Sequence, residues 1–176
     1  MSEEQELLQR ASRLETQALA EIYDIHSPGI YRYSMRLIGD ESLAEDCVAE
    51  TFSRYLKALK NRRGPRDHLQ AYLYRIAHNW IVDLYRNNEK VIELSDAIRS
   101  NADVPEEEAA KRLRREQVLK AIRHLTPDQQ KVISLKYLEN WSNEEVARAL
   151  KKPVGAVKSI QHRALKSLYK LLEEKI

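Results

Sequence analysis

The chain reads as an all-α protein: two small helical domains joined by a flexible linker, the second a four-helix domain with a helix-turn-helix. Three observations predict this. Among 176 residues there are only four glycines and five prolines, so few positions break a helix. Apolar residues recur at three- and four-residue spacing through long stretches, the period of a helix with one buried face. That period fades between 87 and 105, where Asn87-Asn88, the run Ser100-Asn101-Ala102-Asp103 and Pro105 occur together. The expected boundaries are a first domain over 1–88, a linker over 89–105 and a second domain over 106–176.

Residues 1–13 are polar and are expected to be frayed or weakly helical. A helix is expected from about Leu14 to Ile25, with Leu14, Ala18, Ile22 and Ile25 on one face, broken by Pro28-Gly29. A second covers Ile30 to Ile38 and stops at Gly39. Asp40 or Ser42 caps the next helix, whose apolar stripe is Leu43, Ala44, Cys47, Val48, Phe52, Tyr55, Leu56 and Leu59. Cys47 falls in that stripe, as a small buried hydrophobe does. Asp46, Glu50, Ser53, Arg54 and Lys57 occupy the opposite face. Residues 61–68 form a basic loop carrying Arg62, Arg63 and Arg66. The last helix of this half runs from about Leu69 to Arg86. Leu69, Tyr72, Leu73, Ile76, Ala77, Trp80 and Leu84 are its apolar face, and Arg75, Asn79, Asp83 and Arg86 align on another.

In the second domain Glu106-Glu107-Glu108 suit the positive end of a helix that ends near His124. Thr126-Pro127-Asp128-Gln129 combines an N-cap, a proline at the first helical position and Gln at the third, opening a helix to about Leu138. Ser142 and Glu145 form an S-x-x-E capping box ahead of Val146, Ala147 and Leu150. Lys151-Lys152-Pro153 interrupts that helix, and another starts at Val154. Val157, Ile160, Ala164, Leu165 and Leu168 fall on one side of it. Lys158, Ser159, His162, Arg163 and Lys166 fall largely on the other, a basic polar face that suits a major groove. A short helix, a turn and an amphipathic helix also occur in any helical bundle, so this segment alone does not decide the matter.

Charge alternates along the chain although the net charge is only +3. Residues 1–60 hold seven Lys/Arg against eleven Asp/Glu, residues 61–90 six against three, 91–110 one against six, and 151–176 seven against two. Such a pattern fits a chain that binds both DNA and a protein partner; ordinary solvated helix faces give a similar one. The one cysteine excludes an internal disulfide framework and fits a reducing compartment. No stretch reads as a signal peptide or a membrane span, so a cytoplasmic protein with no membrane insertion is expected. His26, His68, His78, His124 and His162 are scattered, without an H-x-x-x-H pair, and there is no Gly-rich phosphate loop. No enzyme, metal or cofactor is expected.

Three segments together resemble a known family. Leu43-Ala44-Glu45-Asp46-Cys47-Val48-Ala49-Glu50-Thr51-Phe52 is similar to one helix of the bacterial RNA polymerase sigma factors of the sigma-70 superfamily, extracytoplasmic-function group. Ala71-Tyr72-Leu73-Tyr74-Arg75-Ile76-Ala77-His78-Asn79, with Asp83 and Arg86, is similar to a second. Pro153-Val154-Gly155-Ala156-Val157-Lys158-Ser159, with His162-Arg163-Ala164, is similar to the recognition helix.

The resemblance implies a protein that binds core RNA polymerase and directs transcription initiation at promoters carrying −35 and −10 elements. It implies polymerase binding through Asp46, Glu50, Arg54 and Lys57. It implies −10 melting and binding through Arg62, Arg63, Arg66, Arg75, Asn79 and Arg86, with base capture in the basic loop and Asp83 orienting a neighbouring Arg or capping structure. It implies −35 reading through Lys158, Ser159, His162, Arg163 and Lys166, with an internal ion pair as the alternative for Arg163. It also implies a cognate anti-sigma factor as a separate partner, since no further domain follows Ile176. The acidic linker is expected to thread toward the RNA exit side.

Tyr72, Ala156 and Ile160-Gln161 depart from the family's usual Trp, Thr and Arg-Leu, and Ile160 is expected to put an apolar side chain at a cationic position. The runner-up is a conventional helix-turn-helix regulator, dimeric on duplex DNA. It accounts for 126–172 and leaves the first domain unexplained. An adaptor with a sigma-like first domain is a third reading.

Overall fold

The computed structural model describes residues 1–98 and 105–174, the backbone only from 88 to 98. Every regular element among the described residues is helical. By compactness the chain divides into Met1–Ile81 and Val82–Ile176.

The first unit begins with α1, Glu3–Ser12, where a frayed end was expected. A reciprocal capping box at Ser2 and Gln5 satisfies two backbone donors. Leu8 and Ala11 are buried against the unit, and α1 packs on the helix that follows it. The Glu4 carboxylate accepts from the Leu69 N–H at 3.0 Å and so caps the helix that starts there. These contacts hold a segment whose polar composition hid two inward-facing apolar positions.

Helix α2, Thr16–Ile38, runs without interruption through Pro28, correcting the expected break. Proline removes one backbone hydrogen bond, but the turns on either side are anchored by buried Ile22, Ile30 and Tyr33. Gly29 has a separate role: a Cβ there would meet the Tyr74 hydroxyl at 2.7 Å, so its absence lets a neighbouring helix approach. The expected apolar face is only half right. Ala18 and Ile22 are buried, while Leu14 precedes the helix in a left-handed conformation and Ile25 is 56% exposed. The helix ends at Gly39, φ 76°.

Helix α3, Glu41–Lys60, is capped by Asp40, whose Oδ1 accepts from the Leu43 N–H at 2.9 Å. Such a cap contributes about 1 kcal/mol. Ala44, Cys47, Val48, Phe52, Tyr55 and Leu59 are buried along the stripe. Leu56, expected there, sits at its solvent margin, and Thr51 takes a core place by bonding the Cys47 carbonyl at 2.7 Å. Burial pushes the Cys47 thiol up to about 11, so the group is a packing residue.

Helix α4, Leu69–Ile98, is longer than expected. No glycine or proline occurs between Pro65 and Pro105, and Leu84, Val91, Leu94 and Ile98 keep a helical spacing. Asn87-Asn88 therefore does not end it. The residues read as linker over 89–98 are helical; 99–104 lie outside the described residues. By compactness the division between units falls inside this helix, after Ile81. In the first unit α4 supplies Leu73, Tyr74, Ala77, His78 and Ile81 to the core. Tyr33 and His78 Nδ1 share a short buried hydrogen bond.

In the second unit Tyr85 of α4 lies under the Arg123 guanidinium, 5.1 Å from its ring centre. Helix α5, Glu106–Arg123, leads to α6, Pro127–Ile133, opened by a Thr126/Gln129 capping box. A π-helical turn at Ser134–Leu138 continues α6 to the expected end. Ser142 and Glu145 form the box that opens α7, Asn143–Leu150. Lys151 is left-handed at φ 54°, and the Lys152 N–H reaches back to the Ala147 carbonyl. Helix α8, Val154–Glu173, packs on α5, α6 and α7 through Val157, Ile160, Ala164 and Leu168. Leu165, expected on that face, is 41% exposed.

Candidate nucleic-acid interface

The second unit presents α8 as its charged face. Burying Val157, Ile160, Ala164 and Leu168 turns the other side of the same helix outward. Lys158, Ser159, His162, Arg163 and Lys166 are all exposed on it. Arg163 makes no ion pair among the described residues. Ile160 is 7% exposed. It fills the core on the side of the helix that carries Val157, Ala164 and Leu168, as its spacing assigns. Gln161 sits at the core edge, its Nε2 donating to the Tyr137 hydroxyl at 2.9 Å. A rigid helix bearing cations and hydroxyl or imidazole groups on one face suits phosphates and base edges together.

Sequence reasoning treated Lys151 and Lys152 only as an interruption. Both are exposed at the turn between α7 and α8, near Arg148, and Lys152 pairs with Asp128 at 3.5 Å. They extend the cationic surface around the start of α8. Their charge density was the available signal.

The first unit carries two further surfaces. One is the outer face of α3. Asp46, Arg54 and Lys57 are exposed and Glu50 is half-exposed. Glu50 and Arg54 pair at 2.9 Å one helical turn apart. An exposed pair of this kind contributes only a few tenths of a kcal/mol to folding. A mixed-sign face of this sort governs orientation and partner choice more than stability.

The other surface is the basic loop with the start of α4. Arg62, Arg63 and Arg66 are exposed. The loop is pinned at its base: the Arg62 and Arg63 N–H groups bond the Leu59 and Ala58 carbonyls at 3.0 and 2.8 Å. Arg62 is left-handed at φ 56°, and Gly64 lies against Leu59. Asn79 is exposed on α4. Arg75 is half-buried rather than open, its guanidinium 5.4 Å from the Tyr72 ring centre, which fixes its direction. Asp83 and Arg86 are exposed on the part of α4 that belongs to the second unit. Trp80 is half-buried.

Among the described residues no group of three or more His, Cys, Asp or Glu side chains could hold a metal ion. No described helix is long and apolar enough to cross a membrane.

The architecture defines a class: a two-unit helical protein with a helix-turn-helix in its second unit and a basic loop beside an Asn/Arg-bearing helix in its first. Comparison with known proteins narrows that class. Residues 22–91 match the family described as sigma-70 region 2, and residues 115–168 match sigma-70, region 4. The chain is similar to the ECF RNA polymerase sigma factor BldN of Streptomyces coelicolor, 32% identical over 173 residues, covering 96% of this chain and 66% of that one. It is also similar to the ECF RNA polymerase sigma factor SigL of Mycobacterium tuberculosis, 29% identical, covering 93% of this chain and 94% of that one. Among solved structures, CnrH in complex with the cytosolic domain of CnrY shares the fold, at 24% identity and a TM-score of 0.68, over 98% of this chain and 99% of that one. The chain therefore belongs to the sigma-70 superfamily of bacterial RNA polymerase sigma factors, in its extracytoplasmic-function group. These relatives are sigma factors rather than enzymes.

Proposed function

We propose that this chain acts as an initiation subunit through three separate surfaces, with 1–88 and 106–176 as its functional domains. The outer face of α3, with Asp46, Glu50, Arg54 and Lys57, binds core RNA polymerase. The basic loop and α4, with Arg62, Arg63, Arg66, Arg75, Asn79 and Arg86, hold the melted −10 strand. Cations neutralise its phosphates, and the Asn79 carboxamide offers both a donor and an acceptor to a base edge. The exposed face of α8, with Lys158, Ser159, His162, Arg163 and Lys166, reads the −35 duplex.

The observation that carries this reading is the pairing, in one chain, of a helix face suited to duplex DNA with a pinned basic loop suited to single strands. A conventional duplex-binding regulator uses only the first. The reading also includes a separate anti-sigma partner, a cytoplasmic location and no catalytic role. The test is run-off transcription on fragmented genomic DNA with core polymerase from the same source. Discrete start sites that share −35 and −10 sequences are expected. Initiation no different from core polymerase alone would overturn the reading.

A further inference from the structure

A cleft of about 630 Å³ lies between α1 and the basic loop of the first unit. That volume lies within the rough 300–1,000 Å³ range of small-ligand sites. Its walls differ in chemistry. Leu8 and Leu59 supply apolar surface. Arg62 and Arg66 flank it on the loop side, while Gln5 and Gln9 lie one helical turn apart on α1. Helix α1 lies wholly outside the stretch that matches sigma-70 region 2.

The two glutamines are not equivalent. The Gln5 Oε1 accepts the Ser2 N–H at 3.0 Å in the capping box, which fixes its side chain and leaves the Nε2 hydrogens for another acceptor. The Gln9 carboxamide makes no hydrogen bond among the described residues, so donor and acceptor are both available. A carboxamide pairs in two-point fashion with the N6 and N7 edge of adenine. Apolar surface accepts a base face, and arginines hold the phosphates on either side.

We propose that α1 forms the second wall of a nucleobase pocket. In it Gln9, supported by Gln5, sets the preference for one unstacked base of the −10 strand, with adenine favoured. This deepens the reading of the basic loop as the −10 site and rests on it. The glutamines act as specificity-determining residues, and the arginines set overall affinity.

The test selects single-stranded DNA with a randomised −10 segment on holoenzyme assembled from core polymerase and the full chain. Recovered strands are sequenced for wild type, Gln9→Ala and the double variant Arg62→Ala/Arg66→Ala. Wild type should enrich adenine at one position. Gln9→Ala should reduce that enrichment roughly tenfold, the scale of one two-point base contact. Gln9 is exposed on one turn of α1, and matching urea midpoints would exclude unfolding as the cause. The proposal is overturned if Gln9→Ala keeps the wild-type preference at every position, or if wild type shows none. Should the double arginine variant capture strands as well as wild type, the loop itself is not the −10 site. That outcome separates failure of the underlying reading from failure of the glutamine assignment.

Discussion

Gly64→Ala connects the loop's packing to its function. A Cβ on Gly64 would approach Leu59 Cδ2 to less than 3.0 Å, with Leu59 Cγ at 3.5 Å and Cα at 3.9 Å. Ordinary contact begins near 3.4 Å. Leu59 is 5% exposed, and the open space beside it is the cleft it lines. The added methyl must therefore lift the loop, which displaces the wall that carries Arg62 and Arg66, or swing Leu59 into the cleft, which fills it. Overpacking of this kind costs about 1–3 kcal/mol. If about 1.4 kcal/mol of that falls on the DNA-bound state, open-complex yield drops roughly tenfold. Permanganate reactivity of unpaired thymines would read that yield, and gel filtration with core polymerase would check that α3 still binds. Combining Gly64→Ala with Leu59→Ala removes the clashing side chain, so the pair should lose about 1 kcal/mol less stability than the two single variants summed. Strictly additive losses, or wild-type promoter opening in Gly64→Ala, would refute the steric argument.

Four other outcomes are expected. Asn79→Ala should impair promoter opening without weakening polymerase binding; unchanged open-complex yield on a promoter found by run-off transcription would remove Asn79 from the site. Lys158→Ala should lower −35-dependent recruitment and reduce the steepness of its salt dependence by about 0.9 in log–log slope, since one phosphate contact is lost; an unchanged slope would show that Lys158 meets no phosphate. Ser142→Ala removes the side-chain acceptor for the Glu145 N–H and should cost about 1 kcal/mol in urea denaturation; a difference below about 0.3 kcal/mol would make the box energetically idle. Cys47 has its thiol pKa raised in the folded state from 9.0 to about 11, so the native state holds its proton more tightly between those values. Stability should therefore decline as pH rises above about 9, and a Cys47→Ala variant should lack that component of the decline.

The parts of the fold that were legible in the sequence share one property: local signals and tertiary packing agree. Ser142/Glu145, Thr126/Gln129 and Asp40 each placed a helix start, because a cap is a short-range hydrogen bond. The stripe of α3 and the outward face of α8 followed from period alone. The misreadings arose where tertiary contacts decided. Pro28 reads as a break, yet buried neighbours carry α2 through it. The polar N-terminus hid Leu8 and Ala11, whose burial depends on the rest of the unit. Asn87-Asn88 resembled a stop, but without glycine or proline α4 continues. Ile160 was placed both on the apolar side by period and on a cationic position by resemblance, and packing resolves it inward. The roles of the site residues come from the resemblance; charge and spacing mark only the basic loop and the polar helix faces on which they lie. The cleft against α1 was not visible, because it joins segments about sixty residues apart that only the folded unit brings together.

The central claim is that this chain works as a polymerase subunit, and binding to core enzyme tests it most directly. The protein should be mixed with core RNA polymerase from its own source and resolved by size exclusion, beside a variant with Asp46→Ala, Glu50→Ala, Arg54→Ala and Lys57→Ala together. Co-elution of the wild-type chain at near-equal stoichiometry, lost in the four-residue variant, is the predicted result. A chain that binds duplex DNA by itself and never co-elutes with competent core enzyme would contradict the account and favour a conventional helix-turn-helix regulator.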